Sequence, residues 1–223
     1  SIIVALTKFN FNSFDVTTAA SKALGFNANA NGFTTINAGS MVLIKTLTAS
    51  SSSTINFVHG TSDVVLDSTY PVYLFKIINV HPSAAARVLV NFRDGGSSYD
   101  ATKTTTLVSV YHQEDGDPSS LGYQPSYDIA QGTGGQTIMF DMNTDNDSSF
   151  SAELFLFNPS STTFVKHFMF RGSGMEDGSP PYAQTPFGAG YCNTTTAIDG
   201  VQFSMASGNI DAGTFKLYGI KDS

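Results

Sequence analysis

The sequence predicts an all-β fold: an antiparallel β-sandwich, jelly-roll-like, with an extended N-terminal arm over residues 1–40. Three observations predict it. Short apolar or alternating runs recur along the chain, and Gly, Pro, Ser and Asn separate them. Almost no segment has helical periodicity, which excludes a parallel βαβ architecture. The 223 residues include 18 Phe and 9 Tyr, ample material for one large core without disulfide staples.

Residues 1–40 differ from the rest. They set Asn, Ala, Gly and Phe in short alternations: Phe9-Asn10-Phe11-Asn12, Gly25-Phe26-Asn27 and Asn31-Gly32-Phe33. Residues 17–24 contain tolerable helix formers and are expected to make about one or two helical turns. The remainder reads as extended or looped. Evenly spaced Phe in a polar segment fits an arm that docks on another molecule, and equally one folded back on its own domain.

The β domain covers residues 41–223. Residues 41–48 and 54–58 read as strands joined by a hairpin-like Ser run. The nearly continuous apolar run 72–80 reads as a central strand. Residues 86–92 alternate and end at the turn Asp94-Gly95-Gly96, and 106–111 follows. Residues 113–135 read as a loop. Strands resume at 137–140, 150–157 and 163–170, the last two joined by the tight turn Asn158-Pro159-Ser160-Ser161. Residues 171–187, rich in Gly and Pro, read as a second long loop. Strands at 189–194, 201–205 and 214–220 complete about ten or eleven, the number a two-sheet sandwich accommodates.

Charge excludes several functions. The net charge is −7, the sequence pI is about 4.8 and only 13% of residues are charged. Without a basic patch, neither nucleic acid nor an anionic membrane surface is an expected partner. No run approaches the ~20 apolar residues of a membrane span, and the apolar opening Ser1–Leu6 is too short for a secretory signal. The single cysteine, Cys192, excludes an intramolecular disulfide and reads as a small buried apolar residue.

The search for chemistry gives little. No Gly-x-Ser-x-Gly elbow stands in a strand–turn–helix setting, and His59, His81, His112 and His167 lack metalloprotease spacing. The acids Glu114, Asp115, Asp117, Asp141, Asp145, Asp147, Glu176 and Asp177 cluster in loops, and Glu153 alone lies within a strand. A glycosidase would need two acids held on rigid elements. The best metal candidate is calcium at Asp141, Asn143, Asp145 and Asp147, whose alternate oxygens resemble the start of an EF-hand loop. That pattern fails at Asn146, where Gly is needed, and at Ala152, where Glu is needed. An acidic turn between strands is the plainer reading. The chain is expected to be non-catalytic, with no cofactor. Tyr70, Tyr73, Tyr99, Tyr111, Tyr123, Tyr127 and Tyr182 lie in or beside loops, where Tyr supplies contact area at low entropic cost.

Three segments carry a resemblance: residues 41–50, MVLIKTLTAS; residues 156–167, LFNPSSTTFVKH; and residues 201–220, VQFSMASGNIDAGTFKLYGI. Across residues 41–223 the chain resembles a set of β-rich virion structural proteins of marine tailed phages, a module attached to tail fibres or capsid surfaces. The resemblance implies a virion protein assembled in the host cytoplasm: a capsid decoration or tail adaptor, bound to other virion proteins through residues 1–40 and homo-oligomeric, with a trimer favoured. Its alternative is a receptor-binding fibre or tip that grips a host surface glycan or protein through loops 113–135 and 171–187. It implies no catalytic or metal residue. No heptad run precedes residue 41, a departure from long-fibre relatives that favours a small protein anchored by its N-terminal segment.

Overall fold

In the computed structural model, the structure describes residues 22–26, 29, 33–37 and 39–221. The chain divides into two units, with the boundary between Val42 and Leu43.

In the first unit, β1 (Lys22–Phe26) and β2 (Phe33–Asn37) pair antiparallel, and Phe26 stacks on Phe33 at 5.2 Å. Leu24 therefore lies in a strand, not in the expected helical turn. Pairing with β2 satisfies backbone groups that so short a helix would leave open. Residues 17–21 lie outside the described residues.

The second unit is all-β. Its strands are β3 (Met41–Ser52), β4 (Thr54–Val58), β5 (Val72–Pro82), β6 (Val88–Arg93), β7 (Lys103–Gln113), β8 (Ser119–Tyr123), β9 (Gln136–Met139), β10 (Phe150–Phe157), β11 (Lys166–Glu176), β12 (Tyr182–Cys192), β13 (Gly200–Met205) and β14 (Ile210–Ile220). An eight-stranded sheet runs β3-β14-β5-β10-β11-β12-β7-β8, and a four-stranded sheet runs β4-β13-β6-β9. The two antiparallel sheets pack face to face around one apolar core.

Alternation decides the packing. β6 turns Val88, Val90 and Phe92 inward and leaves Leu89 and Asn91 half-buried. β13 does the same with Val201, Phe203 and Met205. Phe203 on the small sheet meets Phe75 on β5 at 5.8 Å and Phe215 on β14 at 5.3 Å, and Phe57 on β4 meets Phe75 at 5.3 Å. Farther along, Phe92 meets Phe168 on β11 at 4.7 Å. These rings are fully buried and join the two sheets.

Several expectations change. Residues 49–52 are not a hairpin connection but the end of β3, and the chain passes to the other sheet at Ser53. The segment 113–135 contains β8, and 171–187 is mostly strand, the ends of β11 and β12. Gly and Pro in that hairpin mark close approach rather than a loop. A side chain at Gly188 would collide with the ring of Phe170. At Pro186, which has no N–H to give, the β11–β12 ladder is interrupted between Arg171/Phe187 and Gly174/Gln184.

Cutting Phe203 back to Ala removes the ring shared by both sheets. Phe203→Ala is expected to lower unfolding stability by about 3–5 kcal/mol in urea denaturation. Phe164→Ala, at a ring 69% exposed, should stay within about 0.5 kcal/mol of the parent.

Candidate functional site

The large sheet is wider than the small one, so the inner faces of β7 and β12 extend past the four strands that would cover them. Several of the inward residues there are polar. Thr105, Ser109, Gln113 and Gln184 are all buried. Cross-strand register places them on one face: Gln184 pairs with Tyr111, Pro186 with Ser109 and Tyr182 with Gln113. Among the outward residues of β7 are Val108 and Val110, the latter 47% exposed, while Leu107 faces the core.

Over this polar floor lies an open cleft of about 290 Å³, lined by Ser109, Tyr111, Gln124, Tyr127, Phe140, Glu176, Tyr182 and Gln184. Gln124 and Tyr127 come from the segment after β8, and Glu176, Tyr182 and Gln184 from the β11–β12 hairpin. The two segments expected to carry a binding surface thus meet in one place. Tyr111 and Tyr182 pack edge to face at 5.5 Å, and Tyr127 packs against Phe140 at 4.8 Å. The guanidinium of Arg87 sits 5.5 Å from the Tyr127 ring centroid on a cation–π contact. Gln124 Nε2 donates to Ser109 Oγ at 2.9 Å. Gln184, only 2% exposed, has its Oε1 without a hydrogen-bond partner.

Glu176 is the one acid in the lining. Burial, with Asp141 and Asp177 nearby, pushes its carboxyl up to about 7. The backbone explains the proximity: Glu176 bridges to Met142, and Asp177 N donates to the carbonyl of Asp141 at 2.8 Å.

The other singled-out residues lie elsewhere. In the acidic turn, Asn143 is buried and its Oδ1 accepts from the backbone N of Asp145 at 2.6 Å, while Asp141, Asp145 and Asp147 are exposed. Among the described residues, no group of three or more His, Cys, Asp or Glu could hold a metal ion. Glu153 is paired with Arg171 at 2.5 Å and Lys76 at 3.6 Å across neighbouring strands. The histidines are far apart in role: His59 Nδ1 accepts from Leu66 N, His81 and His112 bond to carbonyls, and His167 rests beside Tyr191. Tyr73 is a core residue, Tyr70 packs on it, and Tyr123 bonds to Asp128 on exposed β8.

Cys192 is fully buried, but its surroundings are not free of bases. Lys103 and Lys166 lie directly across from it on β7 and β11. Both lysines are fully buried, and burial lowers both ammonium groups. Lys103 Nζ donates to Asn91 Oδ1 at 3.0 Å and to the Gly134 carbonyl at 2.7 Å, and Lys166 Nζ to the Thr194 carbonyl at 3.0 Å. Burial outweighs both cations at the thiol and pushes it up to about 12, which keeps it protonated and unreactive.

The chain matches no family model, no curated protein and no solved structure.

The folded state holds the Glu176 proton more tightly than the unfolded chain does, so Glu176 costs stability as pH rises from 4.5 toward about 7. Glu176→Gln is expected to stabilise the fold at pH 8, by on the order of 1 kcal/mol after allowing for partial solvent screening. The gain should vanish at pH 4. Denaturation of both proteins at both pH values checks it, and an equal effect at the two would contradict this account of the carboxyl.

Proposed function

We propose that this chain is a non-catalytic surface domain of a tailed-phage particle, and that its cleft engages a receptor on the host. The observation that carries the reading is the convergence of the two segments on one tyrosine-rich, polar-floored cleft. Such a cleft gives contact area and oriented hydrogen bonds without a nucleophile, an acid pair or a metal set. The particle assignment is supported by the resemblance in residues 41–50, 156–167 and 201–220.

The sandwich is of jelly-roll type in this proposal. What supports it is strand order. When β7–β8 and β11–β12 are set aside as inserted hairpins, eight strands remain: β3, β4, β5, β6, β9, β10, β13 and β14. They fall into the orders β3-β14-β5-β10 and β4-β13-β6-β9. A jelly roll has this pattern: first, eighth, third and sixth strands in one sheet, second, seventh, fourth and fifth in the other. The inserted hairpins are the elements that build the cleft.

A capsid decoration or tail-adaptor role is the second reading. The N-terminal segment would anchor the domain to another virion protein, for which the exposed Leu24 and Phe26 of β1 offer apolar contact. A homo-oligomer, with a trimer favoured, would cover the outward apolar patch of Val110, Leu121, Tyr123 and Phe187.

Particles carrying Tyr127→Ala or Tyr182→Ala should assemble normally and adsorb to host cells at least about tenfold more slowly, read from free-particle titre against time. Unchanged adsorption of intact variant particles would remove the receptor reading and leave the decoration role.

A further inference from the structure

We infer that the cleft is a subsite for an uncharged sugar, one ring or chain end of a neutral host surface glycan; this rests on the receptor reading above and names its ligand. Three features of the lining point to that chemistry together. The first is an unmet hydrogen-bond requirement. Gln184 Oε1 is an acceptor without a protein partner on a side chain 98% removed from solvent, at the floor of an open cleft. A buried acceptor left in this state is costly, and because the oxygen itself is shut off from solvent, a turn of the Gln184 side chain toward the cleft is what lets a ligand hydroxyl meet it. A sugar hydroxyl donates to an amide oxygen and accepts in turn from Gln124, Ser109 or a tyrosine hydroxyl, so one ring can answer several groups of the lining at once.

The second feature is the arrangement of aromatic groups. Tyr111 and Tyr182 stand at 89° to each other, and Tyr127 stands at 84° to Phe140. Tyr127 is engaged by Phe140 and Arg87, so the Tyr111–Tyr182 pair is the aromatic surface left for a ligand in this lining. The C–H face of a pyranose packs on a tyrosine face while its hydroxyl rim reaches the amides, and each aromatic contact orders few side-chain torsions.

The third feature is charge. The only ionisable carboxyl in the lining is Glu176, with Asp141 and Asp177 close by, in a chain of net charge −7. Arg87, which lies against the cleft's Tyr127, is engaged on that ring. Although Glu176 is only partly ionised near neutral pH, the lining offers no cation to pair a sulfate, carboxylate or phosphate, and the net negative chain disfavours their approach. The size agrees: about 290 Å³ falls just below the ~300–1,000 Å³ typical of small-ligand pockets, room for a terminal residue rather than a long stretch of polymer.

The test uses the full chain and a panel of methyl glycosides read by saturation-transfer NMR and titration: glucose, galactose, mannose and N-acetylglucosamine as neutral probes, and glucuronate and a sulfated galactose as anionic ones. A lysine-rich peptide serves as a non-sugar probe. Saturable binding of at least one neutral sugar, weakened about tenfold or more by both Tyr182→Ala and Gln184→Ala and unchanged by Val110→Ser on the outer face, is the expected result. Gln184→Glu, which keeps an acceptor of similar shape, should bind more tightly than Gln184→Ala and guards against a variant that merely misfolds. Binding only of the anionic sugars or the peptide, or neutral-sugar binding indifferent to both cleft variants, would overturn the assignment. If no glycoside binds while Tyr182→Ala particles still lose adsorption, the ligand class is wrong and the receptor reading stands. If adsorption is also unaffected, both fall.

Discussion

The packing of Phe203 against Phe75 and Phe215 is the contact on which the rest of the structure depends. It joins a strand of the small sheet to two adjacent strands of the large one, and Phe57 closes the group from β4. Sheets in a sandwich share no backbone ladder, so their relative position is fixed chiefly by how their inner side chains interlock. With no disulfide in the chain, aromatic interlocking carries that task. Phe92 against Phe168 extends the seam to β11, the strand beside β10 in the large sheet.

Where the seam ends, the inner face changes character. β7 and β12 turn Thr105, Ser109, Gln113 and Gln184 toward the interior, and the small sheet does not cover them fully. The segment after β8 covers part of this floor by hydrogen bonds instead of apolar packing: Gln136 Nε2 donates to the Tyr127 carbonyl, Ile129 N to Thr105 Oγ1 and Gln124 Nε2 to Ser109 Oγ. Deeper in, Lys103 ties β7 to Asn91 of the small sheet and to the Gly134 carbonyl. A polar floor roofed by hydrogen-bonded chain leaves a cleft, whereas an apolar floor would have drawn the roof down onto it.

The core strands were legible because their residues obey one period. Residues 88–93 and 200–205 bury every second side chain, as their alternation implies. The long run 72–80 reads as central and lies between β14 and β10. The cleft was only half legible. Residues 113–135 and 171–187 both contribute to its lining, but glycine and proline in the second concealed two strands, because a residue type that marks turns also permits close packing, as at Gly172 against the Phe150 ring. β7 misled most. Val108 and Val110 look like core residues and face outward, while Lys103, Ser109 and Gln113 face inward. Polar residues at alternate positions of an apolar-looking strand were the available signal, and the neighbours that make sense of them come from β12, some seventy residues farther on. The same holds for Cys192, whose flanking lysines are invisible in local sequence because both arrive from other strands.

Backbone amide exchange by mass spectrometry, on the full chain with and without a neutral polysaccharide from the host surface, tests the central claim most directly. The account predicts slowest exchange in β5, β13 and β14 around the aromatic seam, and faster exchange in residues 119–135 and 174–184. It predicts that the polysaccharide slows only those two faster segments and the facing residues of β7. Protection confined to the outer apolar patch, or slowest exchange at the β7–β8 edge in place of the seam, would contradict it.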